Sequence, residues 1–482
     1  MSHVAAAAET VQPSSDASLP WRTRLGFSVG DLGFNFYWQG VGLFLYFFYT
    51  DVMGLSPRVA GIAYAAASLW DALIDPIIGA AADRTRTRWG SYRPYLLIGA
   101  IPCGLAFVAC FWVPPFQGGA LIAYASATLI LLRTCYAVAS IPYLALSAKL
   151  TSNYHERGML AALRMMFATV GALIVAYGMP SLVQLAADDP NTAWSRAALL
   201  FAAAATVVLF VTFLVVREPD SGPLPTERND AVPVLHSLAR DVGHFWGILR
   251  RNRPLAQLFT VIIVGYVASQ MYAKCILYWC KYGLHDEQFV KYVLPIPAFA
   301  ALIAAPFWTW LSRRTSKREA WLIALAVASA SCLAFVLDDS RSTTSMLIIT
   351  CFVAFGLACT PLMFFAMIPD TVDYNEVVTG RRDEAKIFGF AVFAQKLALA
   401  VNAVVLGQLL ELSGFVANQE QTEGTLLGLK LIMGLIPAVG GVLAAAVLWR
   451  YPLDAKRHGQ VLETLDQRRR QPRAVDVQAQ ES

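Results

Sequence analysis

Long blocks of apolar residues, separated by short polar stretches, dominate the chain. A helix needs about 20 predominantly apolar residues to cross the hydrocarbon core of a bilayer, and twelve blocks are of this order. They lie near residues 26–50, 58–82, 95–113, 119–148, 162–186, 197–216, 255–281, 289–312, 320–337, 345–369, 386–412 and 424–450. The pattern therefore predicts an all-α membrane protein with twelve transmembrane helices, numbered here as spans one to twelve.

A longer polar stretch after span six divides the spans into two groups of six. We expect a disordered cytoplasmic tail at 1–25, an N-terminal bundle at 26–216, a cytoplasmic linker at 217–254, a C-terminal bundle at 255–450 and a loose, charged cytoplasmic tail at 451–482. Two related halves are typical of transporters whose substrate site lies near the bilayer midplane, between the halves.

Lysine and arginine residues in the short loops predict the orientation, because cytoplasmic loops are enriched in them. Loops that follow even-numbered spans, at 83–93, 149–164, 313–318 and 371–386, carry 14 such residues, and the loops at the opposite end carry five. Both termini are therefore predicted to be cytoplasmic. This distribution also explains the net charge of +5 without a nucleic-acid partner.

Composition agrees with this class. Hydrophobic residues make up 57% of the chain and charged residues 15%, whereas soluble domains average about 25% charged residues. The eight cysteines lie mostly in apolar blocks and show neither zinc-site nor disulfide-framework spacing. We expect them to be reduced and packed.

Two carboxylates in span two, Asp71 and Asp75, stand out because they lie four residues apart in an apolar run. Residues at i and i+4 share one face of a helix. One charge at membrane depth costs at least about 2.5 kcal/mol, and two adjacent like charges also repel. The pair therefore needs a shared proton, a bound cation or a basic partner.

Other charged residues inside the spans could supply partners. Among them we single out three acids and three bases: Asp31, Asp71, Asp75, Arg133, Lys274 and Lys396. Structural salt bridges between helices are one interpretation of this balance. The other is a coupling site, since paired carboxylates suit a hard cation such as Na⁺ and can also share one proton. Both ions stay open.

Several short stretches occur in one order along the chain. They are Gly30–Asn35 (GDLGFN), Tyr49–Leu55 (YTDVMGL), Trp70–Pro76 (WDALIDP), Thr85–Pro94 (TRTRWGSYRP), Ile141–Tyr143 (IPY) and Asp370–Glu376 (DTVDYNE). Together they resemble the glycoside–pentoside–hexuronide:cation symporters, the melibiose-carrier branch of the major facilitator superfamily.

The resemblance implies a twelve-helix fold, alternating access and cation-coupled uptake. It also implies that Asp71 and Asp75 line a cation site, that Lys396 lies beside them and that Arg164 lies near the substrate cavity. Two loop motifs look like the family's cytoplasmic latch between the bundles, and their candidate gating residues are Asp83, Arg84, Arg88, Asp370 and Asp373.

The chain departs from the melibiose carrier where two acids hold the sugar, because Asn35 and Ser140 occupy those positions. Amide and hydroxyl groups can still bind a polyhydroxylated ligand, but as weaker, uncharged acceptors. The candidate substrate or coupling residues are Lys396, Asn35, Asp31, Ser140, Arg164, Tyr136, Tyr143, Gln395 and Trp279.

The predicted function is cation-coupled symport of a small sugar or glycoside. Symport of a lysophospholipid or another non-sugar solute is the alternative, and a non-transporting receptor is a third possibility that leaves the paired acids unexplained. No coherent nucleophile–base motif or metal-ligand cluster in the sequence indicates an enzyme. We expect no cofactor besides the coupling ion, a monomer, and a location in the bacterial inner membrane.

Overall fold

The computed structural model is almost entirely helical and describes residues 19–151, 153–186, 190–218, 243 and 245–480. Most of the predicted linker and residues 1–18 of the predicted tail at 1–25 lie outside these residues, whereas residues 21–25 belong to the helix Trp21–Ser28 and are not the disordered segment predicted there. Spans two to seven are helices at Pro57–Arg84, Arg93–Cys110, Gly118–Leu150, Tyr154–Leu185, Pro190–Val215 and Arg253–Tyr278. Spans eight to twelve are Ile296–Arg314, Lys317–Leu337, Thr343–Leu357 with Cys359–Thr379, Glu384–Leu412, and Glu423–Lys430 with Ile436–Trp449.

Span one is a segmented helix. It consists of α-helices at Trp21–Ser28 and Gly30–Gly40 and π-helical segments at Val41–Leu45 and Phe48–Val52. Among the described residues, eleven helices are long and apolar enough to cross a membrane, and they correspond to spans two to twelve. The twelfth crossing, by the segmented span one, stays a prediction.

Shorter elements lie between and after the spans, including helical residues at 245–251. The others are π-helical segments at Trp279–Gly283 and Leu431–Leu435, a 3₁₀ turn at Glu287–Phe289, an α-helical turn at Val290–Val293 and a C-terminal helix at Ala455–Gln480. Asn153, Asn252, Ser316 and Thr422 cap the helices that follow them by accepting hydrogen bonds from first-turn N–H groups. All eight cysteines are free, and only Cys351 is exposed.

The helices pack as two groups that meet along spans two and eleven. Small residues allow this contact, because a Cβ at Gly61 would clash with the backbone oxygen of Ala403, and one at Gly407 would clash with that of Pro57. The two groups therefore touch backbone to backbone near the start of span two. We call this the outer end, since its loops are poor in lysine and arginine, and the opposite end the basic end.

The chain after Tyr451 is not the loose tail that its charge predicts. It forms the helix Ala455–Gln480, which packs on the helix Cys359–Thr379. The Arg468 guanidinium donates to the backbone oxygen of Val377 over 2.8 Å, and such donors satisfy the carbonyls left free in the last turn of a helix. His458 Nε2 lies 3.2 Å from Asp373 Oδ2.

Candidate functional site

The two acids of span two face a lysine from the other half of the chain. Lys396 Nζ, on span eleven, lies 2.8 Å from Asp71 Oδ2 and also contacts Asp75 Oδ2. Asp71 is buried, whereas Asp75 keeps 30% of its side chain exposed. The lysine ammonium therefore occupies the position between the two carboxylates, across the contact between the two helix groups.

A proline directly after Asp75 changes the backbone at this site. Pro76 lies inside the helix Pro57–Arg84 and has no N–H, so the carbonyl oxygen of Ala72 lacks its usual helical donor. Such a carbonyl within a span must find another partner. Because hard cations prefer carboxylate and carbonyl oxygens, Ala72 adds a third oxygen of the right chemistry next to the two acids.

Arg133 of span four completes this cluster. Its guanidinium lies 4.0 Å from Asp71 and also stacks over the Trp38 ring, with the Arg133 Cζ atom 5.1 Å from the ring centroid. The cluster thus holds two negative and two positive side chains, which makes it close to neutral when no ion is bound.

A second ion pair lies between spans one and five. Arg164 Nε donates to Asp31 Oδ2 over 2.5 Å, and the Tyr143 hydroxyl is 2.8 Å from the same oxygen. Asn35 donates its amide to the backbone oxygen of Asp31 over 2.9 Å. The loop-charge count placed Arg164 at the end of a loop, but the residue lies inside the helix Tyr154–Leu185, where its guanidinium reaches span one.

A central cavity of about 510 Å³ lies between the two groups of helices. Spans one, two, four, five, seven, eight, ten and eleven contribute to its wall. The polar and aromatic lining residues are Asn35, Trp38, Gln39, Tyr64, Arg133, Thr169, Tyr266, Gln270 and Lys274. A volume of this size is within the range of small-molecule sites.

The structure brings some of the sequence-predicted site residues to the cavity and leaves others away from it. Asn35 lines the cavity, and the Tyr136 ring lies 6.0 Å from that of Trp38. Ser140 and Gln395 are half-buried and are not among the lining residues of this cavity. Trp279 instead packs edge-to-face on Phe335, with ring centroids 5.2 Å apart. Gln39, Gln270 and Trp38 were not predicted as site residues.

The outer end is closed by hydrogen bonds between the two groups of helices. Asp51, at the end of span one, is buried and accepts from Lys281 Nζ over 3.1 Å and from the Tyr282 hydroxyl. The Thr50 and Tyr278 hydroxyls are 2.7 Å apart. The Asn418 amide donates to the backbone oxygen of Asp51 over 2.6 Å. We call these residues the outer gate.

The candidate latch residues at the basic end bond within their own group of helices. Asp83 accepts from the Tyr92 hydroxyl over 2.7 Å, and Arg88 stacks on Trp89. Arg84 is exposed at the end of span two. The contacts of Asp83 and Arg88 thus stay within the N-terminal group of helices, whereas hydrogen bonds between the two groups close the cavity at the outer end.

Four of the five candidate gating residues are in helices: Asp83 and Arg84 end the helix Pro57–Arg84, and the other two lie in span ten. Asp370 and Asp373 belong to Cys359–Thr379, where Lys317 Nζ lies 2.7 Å from Asp370 and an Arg382 nitrogen lies 3.0 Å from Asp373. The helix continues past the apolar block because these ion pairs support its polar last turns. The prediction of a loop at this motif was wrong.

Glu218 ties the basic end of the N-terminal group together. Its carboxylate accepts from Lys149 Nζ over 2.9 Å and from the backbone N–H of Tyr92 over 2.9 Å. Burial alone would raise the pKa of this carboxyl, but the hydrogen bonds from Lys149 and from the Tyr92 and Ser91 N–H groups outweigh it and hold the pKa below its usual range.

A cavity between two helical halves, closed at one end and bordered by a buried ion cluster, defines a multi-pass membrane transporter of the alternating-access type. Residues 26–455 match the family described as MFS/sugar transport protein. The chain belongs to this family, in agreement with the resemblance seen in the sequence motifs.

Similar proteins include a symporter of unassigned substrate, YnaJ, from Bacillus subtilis (strain 168), with 30% identity over 92% of this chain and 94% of the relative. The isoprimeverose transporter of Lactiplantibacillus pentosus is 28% identical over 98% of both chains. A solved D-xylose–proton symporter has a TM-score of 0.64 at 16% identity and covers 91% of this chain and 99% of its own. That likeness supports the fold alone.

Proposed function

We propose that this protein is a cation-coupled symporter that takes up a sugar or glycoside by alternating access, with Na⁺ or H⁺ as the coupling ion. It resides in the inner membrane as a multi-pass protein, and its family consists of transporters rather than enzymes. The names of its relatives favour a sugar over the lipid alternative, because one of them is an isoprimeverose transporter.

One observation supports coupling most directly. Lys396 contacts both Asp71 and Asp75 across the boundary between the two groups of helices. A coupling cation that binds the carboxylates competes with this ammonium for the same oxygens. Ion binding at the acids and the relative position of the two groups are therefore linked, as coupled transport requires.

The sequence of steps follows from this competition. A cation entering the acid pair displaces Lys396, and the substrate binds in the cavity between the groups. The groups then rock, the outer gate closes and the latch residues at the basic end separate, which exposes both ligands to the cytoplasm. The arrangement described above, with hydrogen bonds closing the outer end, corresponds to the release side of this cycle.

Uptake into right-side-out membrane vesicles tests the proposal. A panel of sugars, glycosides and lysophospholipids is offered while sodium and proton gradients are imposed separately. We expect a sugar or glycoside to accumulate under one of the two gradients. Accumulation of a lysophospholipid alone, or of nothing under either gradient, would contradict the proposal.

Variants of the acid pair then test the mechanism. Asp71→Asn and Asp75→Asn are expected to abolish accumulation but to keep exchange of labelled for unlabelled substrate, because the cavity itself is intact. Asp339→Asn is the matched control, since it neutralises an exposed carboxylate paired with Lys430 at the outer end. Full accumulation in both acid variants would refute the assignment of the coupling site.

A further inference from the structure

The charges around the central cavity do not balance. Asp71 and Asp75 face Lys396 and Arg133, and Asp31 faces Arg164. Each of these acids thus has a basic partner, and each of these bases has an acid. Lys274, which also lines the cavity, remains as one additional positive charge.

Lys274 is buried, with 4% of its surface exposed. Among the described residues, no carboxylate oxygen lies within 4.0 Å of its ammonium. Its contacts among the described residues are a 3.5 Å approach to the backbone oxygen of Gly42 and the rings of Tyr64 and Tyr46, whose centroids are 4.4 Å and 5.7 Å from Nζ. A hydrogen bond of 3.5 Å is long and weak, so the ammonium keeps donor capacity facing the cavity.

Other features of the wall match this charge. The described residues that line the cavity include no carboxylate. The Tyr64 ring also contacts Arg133, whose Cζ atom is 5.9 Å from the ring centroid, so the two cationic centres lie within about 10 Å of each other. Buried cations without a partner are costly and mark substrate pathways in membrane proteins.

We infer that the substrate is an anionic sugar: a sugar or glycoside with one carboxylate or sulfonate group, which binds beside Lys274. This inference rests on the proposed function and adds the charge of the substrate to it. The amide groups of Asn35, Gln39 and Gln270 supply donors and acceptors for hydroxyl groups, and the Trp38 ring supplies a flat face for the apolar side of a sugar ring.

Matched substrates separate charge from shape. The full-length protein in proteoliposomes is given nitrophenyl β-glucuronide, nitrophenyl β-glucoside, or a methyl glucoside sulfonated at carbon six, and initial uptake is measured under each imposed gradient. We expect uptake of at least one of the two anionic sugars to exceed that of the neutral glucoside at least tenfold at subsaturating concentration. The two anionic arms distinguish a carboxylate from a sulfonate.

Lys274→Met removes the charge at similar side-chain volume, and Lys274→Arg keeps it. Because Lys274→Met removes one partner of a buried charge pair, we expect it to raise KM for the anionic sugar at least about thirtyfold and KM for the neutral sugar by less. Lys274→Arg is expected to restore most of the preference for the anionic over the neutral sugar. Lys430→Met is the matched control, because Lys430 is a buried lysine at the outer end that is paired with Asp339.

The outcomes are distinguishable. Uptake of the neutral glucoside at a rate equal to or above that of both anionic sugars would overturn the inference and leave cation-coupled sugar transport standing. An equal loss for charged and neutral sugars in Lys274→Met would also overturn it. Failure of every sugar under both gradients would refute the proposed function itself. The comparison of substrates in the unmodified protein decides the question even where a variant does not fold.

Discussion

Neutralising Asp51 is expected to open the outer gate. Asp51 is buried and its carboxylate receives two hydrogen bonds from the other group of helices, from Lys281 and Tyr282. Hydrogen bonds to a charged group contribute about 1.5–3 kcal/mol each. Asn keeps one acceptor oxygen and loses the charge, so Asp51→Asn removes about 2–3 kcal/mol from the state closed at the outer end.

This free energy corresponds to a shift of the equilibrium toward the outward-open state by roughly 30- to 150-fold. For the assay, a cysteine is introduced at Ala172, which lines the central cavity. A membrane-impermeant maleimide is added outside right-side-out vesicles, and the rate at which it labels this cysteine is measured. We expect labelling in Asp51→Asn to be at least tenfold faster than in the parent with native Asp51.

The control is Glu423→Gln. It removes a carboxylate from an exposed ion pair with Arg341 at the same end, and exposed pairs contribute only about 0–1 kcal/mol. Labelling in this variant should stay within about twofold of the parent. Equal labelling rates for Asp51→Asn and the parent would refute the argument that Asp51 holds the outer end closed.

Two further predictions concern helix packing and pH. Gly61→Ala places a methyl group against the backbone oxygen of Ala403, so it should speed labelling from outside and lower the uptake rate several-fold. Gly389→Ala on span eleven, where the glycine has open space around it, should change neither rate. Unchanged labelling and uptake in Gly61→Ala would contradict the backbone contact. The pKa of Glu218 is lower in the folded protein than in the unfolded chain. The ionised Glu218 carboxylate therefore stabilises the fold above the unfolded pKa, and this stabilisation is lost as pH falls through the folded pKa. Thermal unfolding monitored from pH 7 to pH 3 should therefore show a smaller loss of Tm for Glu218→Gln than for the parent, and parallel curves would contradict this assignment.

The sequence was informative where a residue type conflicts with its surroundings. Asp71, Asp75 and Lys396 are charges inside apolar blocks, so their cost indicates that each needs a partner. The resemblance to the symporter family implied that Lys396 lies beside the two acids, and the structure brings the three together. The pairing of Asp31 with Arg164 was not predicted, because the two are 133 residues apart and only the packing of spans one and five aligns them.

Residues at span ends were harder to interpret. Asp51 lies at the end of span one and Tyr282 at the end of span seven, and nothing in the local sequence of either shows that they meet across 231 residues. Lys274 was visible as an intramembrane base, but a sequence does not show which face of a helix borders a cavity. Trp279 and Gln395 were chosen by residue type alone, and neither lines the central cavity.

The helical character of the C-terminal residues was missed for a related reason. A charged segment outside an apolar block has no periodic apolar face that predicts a helix. Its order comes from specific partners, Val377 and Asp373, on another helix.

The ammonium of Lys274, which has no carboxylate partner among the described residues, has a consequence for the energetics of uptake. A neutral sugar carried with one monovalent cation moves one net charge, and a membrane potential of 100 mV then contributes about 2.3 kcal/mol, or roughly fortyfold accumulation. An anionic sugar carried with one such cation moves no net charge, so transport is electroneutral. A carrier of this kind draws only on the concentration gradients of its two ligands and keeps working when the membrane is depolarised.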